Sequence, residues 1–291
     1  SSPHESYVAV YRKSRRAFNL VEYRCLDPGL AIKPAIRKSY GALIMSGTLS
    51  PLHLFTEILG LERAEKRTYP PIADPENIRT IIDTSVTTRF KERSREMTQR
   101  YGERISQIVQ NIPNGVLVFF PQRRLMLQSL NSWQKEGIID KRRGRQILGR
   151  KKVFVEGSGA TENRWVVQRY KKAAKKGEGA VLFGVFRGRN AEGSNFPYKE
   201  ARGVILVGIP YADYGDPVVK AQIRYFNKKR ENLGRKWYVM DAFKAANQAI
   251  GRGIRHKDDW CNFILMDRRY QNQQKMISPW AVENGIRKFS I

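Results

Sequence analysis

Residues 115–137 read GVLVFFPQRRLMLQSLNSWQKEG. An unbroken apolar run is followed by a proline, then by apolar residues three and four apart up to Gly137. That pattern predicts a buried strand leading into an amphipathic helix. The same unit recurs downstream. KKVFVEG (151–157) reads as a strand and TENRWVVQRYKKAAKKG (161–177) as a helix, with Thr161 as its expected N-cap. AVLFGVF (180–186) and GVILVGIP (203–210) are two further apolar strands. Residues 216–232 form a helix with Pro217 in its first turn, and YVMDAFKAANQAIGRGIR (238–255) forms another. CNFILMD (261–267) is expected to close the sheet. Strands that are apolar on both faces and alternate with helices predict an α/β fold, a parallel sheet covered on both sides.

Upstream the pattern is looser. Residues 7–24 alternate and predict a strand pair, and GALIMSG (41–47) predicts a short buried strand. PLHLFTEILGL (51–61) has helical spacing and stops near Gly60, residues 62–80 form a polar connection, and residues 90–112 form an amphipathic helix. This divides the chain into a strand-rich segment, 1–45, leading into a main domain, 46–291.

The chain has 291 residues with 54 Lys and Arg against 27 Asp and Glu, a net charge of +27. Such an excess points to a polyanionic partner, nucleic acid first. Cys25 and Cys261 are isolated, as are His4, His53 and His256, so no metal site and no disulfide framework are expected. No apolar run reaches membrane-spanning length and no signal-peptide pattern is present. The expectation is an intracellular protein, cytoplasmic in a prokaryote or nuclear in a eukaryote, without a membrane partner. The chain does not begin with Met, and an upstream segment is expected.

In parallel α/β sheets the working residues gather at the carboxyl ends of the strands. Here those ends are Ser46-Gly47-Thr48, Gln122-Arg123, and Arg187 with the following Glu192-Gly193. A further stretch, QAIGRGIRHKDD (248–259), places Gln248, Arg252 and Arg255 at i, i+4 and i+7, which on a helix is one face. Two permanently charged planar forks suit phosphate oxygens whose charge shifts during cleavage. A solvated basic helix paired to Asp258 and Asp259 is the plainer reading. No GxxxxGK[ST] loop and no DExH-like stretch accompanies the arginines. Such a chain is expected to supply half of a nucleotide site that is completed across a cleft.

Four stretches in order, IMSGTLSPLHLFTEILGL, GVLVFFPQRRLM, AVLFGVFRGRNAEGSNFPYKEARGVILVGIPY and QAIGRGIRHKDD, resemble the C-terminal motor half of XPD/DinG-type superfamily 2 DNA helicases, on the XPD side. The resemblance covers residues 20–275 and implies a RecA-like second motor domain. It implies that Gln248, Arg252 and Arg255 face ATP phosphates across the cleft, with Arg255 the first choice of finger and Gly251, Glu192 and Gly193 beside the nucleotide. It implies that Ser46, Gly47, Thr48, Gln122, Arg123 and Arg187 line a path for single-stranded DNA. The implied activity is ATP-dependent, 5′ to 3′ helicase action, with ATP and Mg2+ shared with an N-terminal lobe. That lobe would carry the P-loop, the DEAH box and an iron–sulfur cluster, and this chain alone would be inactive. Two departures stand out. Asn195 occupies a position where the family usually has Asp, and Gln122-Arg123 replace Ser-Tyr, favouring backbone grip over base stacking. The alternative is a non-catalytic nucleic-acid-binding module that keeps the fold.

Other residues have plainer readings. Phe119, Phe120, Trp165 and Tyr170 are expected in the core, and His256 is expected to cap a helix end. Lys171, Lys172, Lys175 and Lys176 read as a solvated helix face. The basic cluster 141–152 is left open between surface and phosphate contact.

Overall fold

The structure, a computed structural model, describes residues 3–13, 19–142 and 144–289. In chain order the elements are β1 (Tyr7–Arg12), β2 (Leu20–Cys25), α1 (Pro28–Arg37), α2 (Leu52–Leu59), β3 (Ile78–Asp83), α3 (Arg95–Asn111), β4 (Gly115–Phe120), α4 (Arg123–Lys135), β5 (Ile139–Arg142), β6 (Arg145–Leu148) and β7 (Lys151–Val155). Then follow α5 (Ala160–Ala174), β8 (Ala180–Val185), α6 (Arg189–Glu192), β9 (Gly203–Val207), α7 (Pro217–Lys229), α8 (Leu233–Ile250), β10 (Cys261–Met266) and β11 (Ile286–Phe289).

Contacts divide the chain into two units, residues 1–67 with 211–244, and residues 68–210 with 245–291. The sequence-based division after residue 45 does not coincide with this one, because α7 and most of α8 group with the N-terminal residues.

In the first unit β1 and β2 pair antiparallel, from Tyr7 opposite Cys25 to Arg12 opposite Leu20. Asp27 caps α1 by accepting from the Gly29 N–H at 2.9 Å. It also accepts from the Tyr225 hydroxyl at 2.8 Å and the Lys229 ammonium at 2.6 Å, which ties α7 to α1. Asp216 caps α7 through the Val218 N–H at 2.8 Å, with Pro217 behind it as expected. The strand expected at 41–47 does not form: these residues carry no strand assignment, and Leu43 is 84% exposed. A four-residue apolar run between glycines needs a neighbouring strand to satisfy its backbone, and none of the described strands pairs with it.

The second unit is built on a nine-stranded sheet in the order β11-β3-β10-β9-β4-β8-β7-β6-β5. Seven neighbouring strands, β11 to β7, run parallel, and β6 and β5 extend the sheet antiparallel. Helices cover both faces. Val116, Val118 and Phe120 of β4 point into a core with Ile105 and Val109 of α3 and Met126 and Trp133 of α4. On the opposite face Phe154 of β7 meets Tyr170 of α5 edge-on at 6.0 Å. This is the mostly parallel, two-sided α/β architecture that the strand–helix alternation predicts.

The expected polar connection contains a strand, β3, whose IRTIID run is buried on alternate positions. β10 lies inside the sheet between β3 and β9 and does not close it. The basic cluster 141–152, expected as a turn-rich connection, runs through the β5–β6 hairpin; Arg143 of that cluster lies outside the described residues. Gly159, one turn position before Ala160, stands at the N-cap of α5 in place of Thr161, with no side-chain cap. Trp165 is 64% exposed, while Tyr170 is fully buried.

Candidate functional site

Three adjacent strands of the second unit, β4, β8 and β7, end together at one edge of the sheet. Gln122 follows β4 as the N-cap of α4 and is exposed, and Arg123 opens that helix half-buried. Arg187 follows β8 with a positive φ of 59° and is exposed. Glu156 follows β7 and is buried.

Glu156 organises this edge, and the sequence reading missed it. Its two carboxylate oxygens accept from the Arg189 N–H at 3.0 Å and the Val185 N–H at 3.1 Å. A Cβ at Gly188 would lie 2.6 Å from Glu156 Oε1 and 2.8 Å from the Val185 carbonyl, so only glycine fits the turn. Burial lifts the Glu156 carboxyl above the usual carboxylate range, and the two N–H bonds and the charges of Arg123 and Arg189 pull it back. The carboxylate thus fixes the loop between β8 and α6 and sets Arg123 against it. A glutamate closing an apolar strand was visible in KKVFVEG, but its targets are distant in sequence.

α8 ends at Ile250, so Arg252 and Arg255 lie beyond the helix and the one-face spacing does not place them. Gly251 and Gly253 end it. At Gly253 a Cβ would sit 2.5 Å from the Cys261 sulfur and 2.8 Å from the Phe263 ring, so the backbone passes directly against β10. Gln248 remains on the last turn of α8, half-buried. Beyond it, Asp259 holds the turn. One oxygen accepts from the Arg255 and His256 N–H groups at 3.0 and 3.1 Å. The other accepts from the Tyr198 N–H at 3.0 Å and from the Arg202 guanidinium at 3.3 Å. Asp259 is fully buried. Its ion pair is therefore with Arg202 and not with the two arginines of the motif. His256 stacks on Tyr198 with ring centroids 4.7 Å apart and does not cap the helix.

The structure brings the motif of residues 248–259 against the loop after β8. The Arg252 guanidinium donates to the Ser194 carbonyl at 2.9 Å, two residues past Glu192 and beside Gly193 and Asn195. Arg252 and Arg255 are both half-buried, and Nε of each is shielded from solvent without a hydrogen-bond partner. Burial pulls both guanidiniums below the usual arginine value; for Arg252 the charge of Arg255 adds to this and that of Glu192 opposes it. The two guanidiniums are thus partly desolvated, and each keeps an unspent donor. Among the described residues no cluster of His, Cys, Asp or Glu forms a metal site.

Ser46, Gly47 and Thr48 belong to the first unit. Ser46 Oγ accepts from the Thr48 N–H at 3.3 Å, and Ser46 and Gly47 are exposed. No helix among the described residues is long and apolar enough to cross a membrane.

Comparison with known proteins identifies the family and the fold. Residues 105–284 match the family model described as the helicase C-terminal domain. The chain is 28% identical over 271 residues to the general transcription and DNA repair factor IIH helicase subunit XPD/RAD3 of Saccharomyces cerevisiae, covering 91% of this chain and 34% of that protein. It is 31% identical over 283 residues to the XPD subunit of Dictyostelium discoideum, covering 94% of this chain and 36% of that protein. It is 31% identical over 282 residues to a regulator of telomere elongation helicase 1 homolog of Drosophila persimilis, covering 92% and 28%. The chain thus spans about a third of the length of these relatives. A solved XPD helicase superposes with a TM-score of 0.65 at 21% identity, over 98% of this chain and 48% of that one. At that identity the likeness speaks for the fold.

Proposed function

The chain belongs to the helicase C-terminal domain family, and from that premise we propose that it is the second motor lobe of an ATP-dependent DNA helicase of XPD type. The observation that carries the reading is the pair Arg252 and Arg255, half-buried, close to each other and holding unpartnered shielded donors. A phosphate brought by an opposing lobe would satisfy them. Arg255 is the finger, held by its own backbone on Asp259, and Arg252 is steered by Ser194. Gln248, Gly251, Glu192 and Gly193 complete the nucleotide-facing surface. A permanently charged fork placed before the reaction stabilises charge that develops on the transferred phosphoryl group without reorganising. Mg2+ would be held mainly by the other lobe and would neutralise phosphate charge there.

On this reading single-stranded DNA crosses the carboxyl edge at Gln122, Arg123 and Arg187, with Ser46, Gly47 and Thr48 coupling its movement to nucleotide state. Glu156 ties this edge to the loop that meets Arg252, so one rigid turn serves both ligands. The exposed apolar residues Leu43, Ile44 and Met45 fit a contact with the N-terminal lobe. A 5′ to 3′ direction follows the family resemblance. The test is Arg255→Ala in the complete protein, which should abolish ATP hydrolysis and spare most of the affinity for DNA. Normal hydrolysis by that variant would refute the assignment.

A further inference from the structure

A cleft of about 530 Å³ lies on the outer flank of the sheet, between the β5–β6 hairpin, β7 and the C-terminal half of α5. Its floor is apolar, with Phe154, Val166 and Ala173, and its rim carries Arg145, Lys152, Arg169, Lys172 and Lys176. Among the described residues no acidic one lines it. All five cations are exposed, and among the described residues none is joined to a carboxylate. The contrast with their neighbours is informative. Lys171 and Lys175, on the adjacent stripe of the same helix, pair with the buried Glu200 at 2.9 and 2.8 Å. One stripe of α5 is therefore committed to the fold, and the stripe facing the cleft is not.

The spacing is regular. Arg169 and Lys172 lie three residues apart on one face of α5, and Lys176 follows in the turn just after the helix ends at Ala174. With the two hairpin cations they form a row of donors for the phosphate charges that a nucleic-acid strand presents along its length. Lys152 stands opposite Ile147 near the start of β7, and Arg145, two residues earlier on the antiparallel strand, lies further toward the carboxyl end of β7. The cationic row therefore runs along the flank of the sheet toward the edge that carries Arg123 and Arg187. Phe154, the one aromatic ring of the lining, is engaged edge-on with Tyr170. The cleft thus offers charge rather than a stacking platform.

We propose that this cleft is a second nucleic-acid contact, gripping a sugar–phosphate backbone without reading its bases, on the flank of the sheet outside the strand-end rim. It rests on the reading that the protein acts on nucleic acid. The test is the salt dependence of binding of a labelled oligonucleotide, as single strand and as duplex, to the full chain. Three proteins are compared: the parent, the triple variant Arg169→Ala/Lys172→Ala/Lys176→Ala, and a charge-matched control, Lys220→Ala/Lys228→Ala/Arg235→Ala. Alanine at the exposed helix positions 169 and 172 keeps the helix and position 176 lies in an exposed turn; the hairpin variant Arg145→Ala/Lys152→Ala gives an independent measure.

The triple variant should lower the slope of log affinity against log salt by about 3, one for each lost phosphate contact. The hairpin variant should lower it by about 2, and the control by far less. Loss on the single strand or on the duplex names the form the cleft holds. An unchanged slope in the triple variant, or an equal loss in the control, overturns the proposal. If Arg123→Ala weakens binding while the cleft variants do not, the cleft fails and the helicase reading stands. A parent chain that binds neither oligonucleotide overturns both.

Discussion

Asp259→Asn isolates the device that holds the arginine turn. The carboxylate is fully buried and accepts four donors, the N–H groups of Tyr198, Arg255 and His256 and the guanidinium of Arg202. Asparagine keeps one acceptor oxygen and turns the other into an NH2 group. Facing the oxygen to Arg202 and Tyr198 is the better orientation, since the opposite one sets NH2 against a buried guanidinium. The Arg255 and His256 N–H groups then point at donors. Each unsatisfied, partly buried N–H costs about 1–3 kcal/mol, and since both are near the surface the pair should cost about 2–4 kcal/mol. For a unit of this size that lowers the melting temperature by about 5–15 °C. The assay is thermal unfolding of parent and variant followed by far-UV circular dichroism. It is paired with ATP hydrolysis by the complete protein well below the melting point. Hydrolysis should fall although both arginines are present, because the backbone that aims Arg255 is released. A melting temperature within about 2 °C of the parent, with hydrolysis unchanged, would refute the role given to Asp259.

Glu156→Gln should destabilise by about 1–3 kcal/mol, because one of two backbone N–H groups loses its acceptor; chemical denaturation reads this, and an unchanged midpoint would contradict it. Because burial raises the Glu156 carboxyl, the folded state takes up its proton first as pH falls, so this group adds stability toward acid, and the variant should lose that increment. Lys151 donates to the Asn114 and Glu178 carbonyls at 2.9 and 3.0 Å, and burial pulls its ammonium down to about 8 from the ordinary 10.5. Between those values the unfolded chain binds more protons, so stability from this group rises with pH. In Lys151→Met that rise should vanish, and parallel stability curves for parent and variant would contradict it.

The central sheet was legible because its strands are apolar on both faces and its helices carry a clear stripe. β3 was not, because IRTIID mixes charge with apolar residues and follows a proline-rich stretch. GALIMSG misled for the reverse reason: composition marks a buried strand, but burial depends on a partner that these residues do not find among the described strands. The β5–β6 hairpin was hidden under its charge, since alternation in KRRGRQILG is weak. At the candidate site the sequence brought out Arg252, Arg255, Glu192 and Gly193 through motif order. Their placement follows from contacts that spacing cannot predict. Two buried carboxylates, Glu156 and Asp259, hold backbone N–H groups 33 and up to 61 residues away in the chain. The helical face drawn through Gln248 and the two arginines failed because glycines on either side of Arg252 stop the helix.

The most direct measurement is ATP hydrolysis by the complete protein, parent and Arg255→Ala, with and without single-stranded DNA, alongside DNA affinity at one fixed salt concentration. We expect DNA-stimulated hydrolysis in the parent and a fall of about 10³-fold or more in the variant, with DNA affinity changed little. Equal hydrolysis by the two proteins would contradict the assignment of Arg255, and absence of hydrolysis in the parent, with DNA still bound, would make the chain a binding module that has kept the fold.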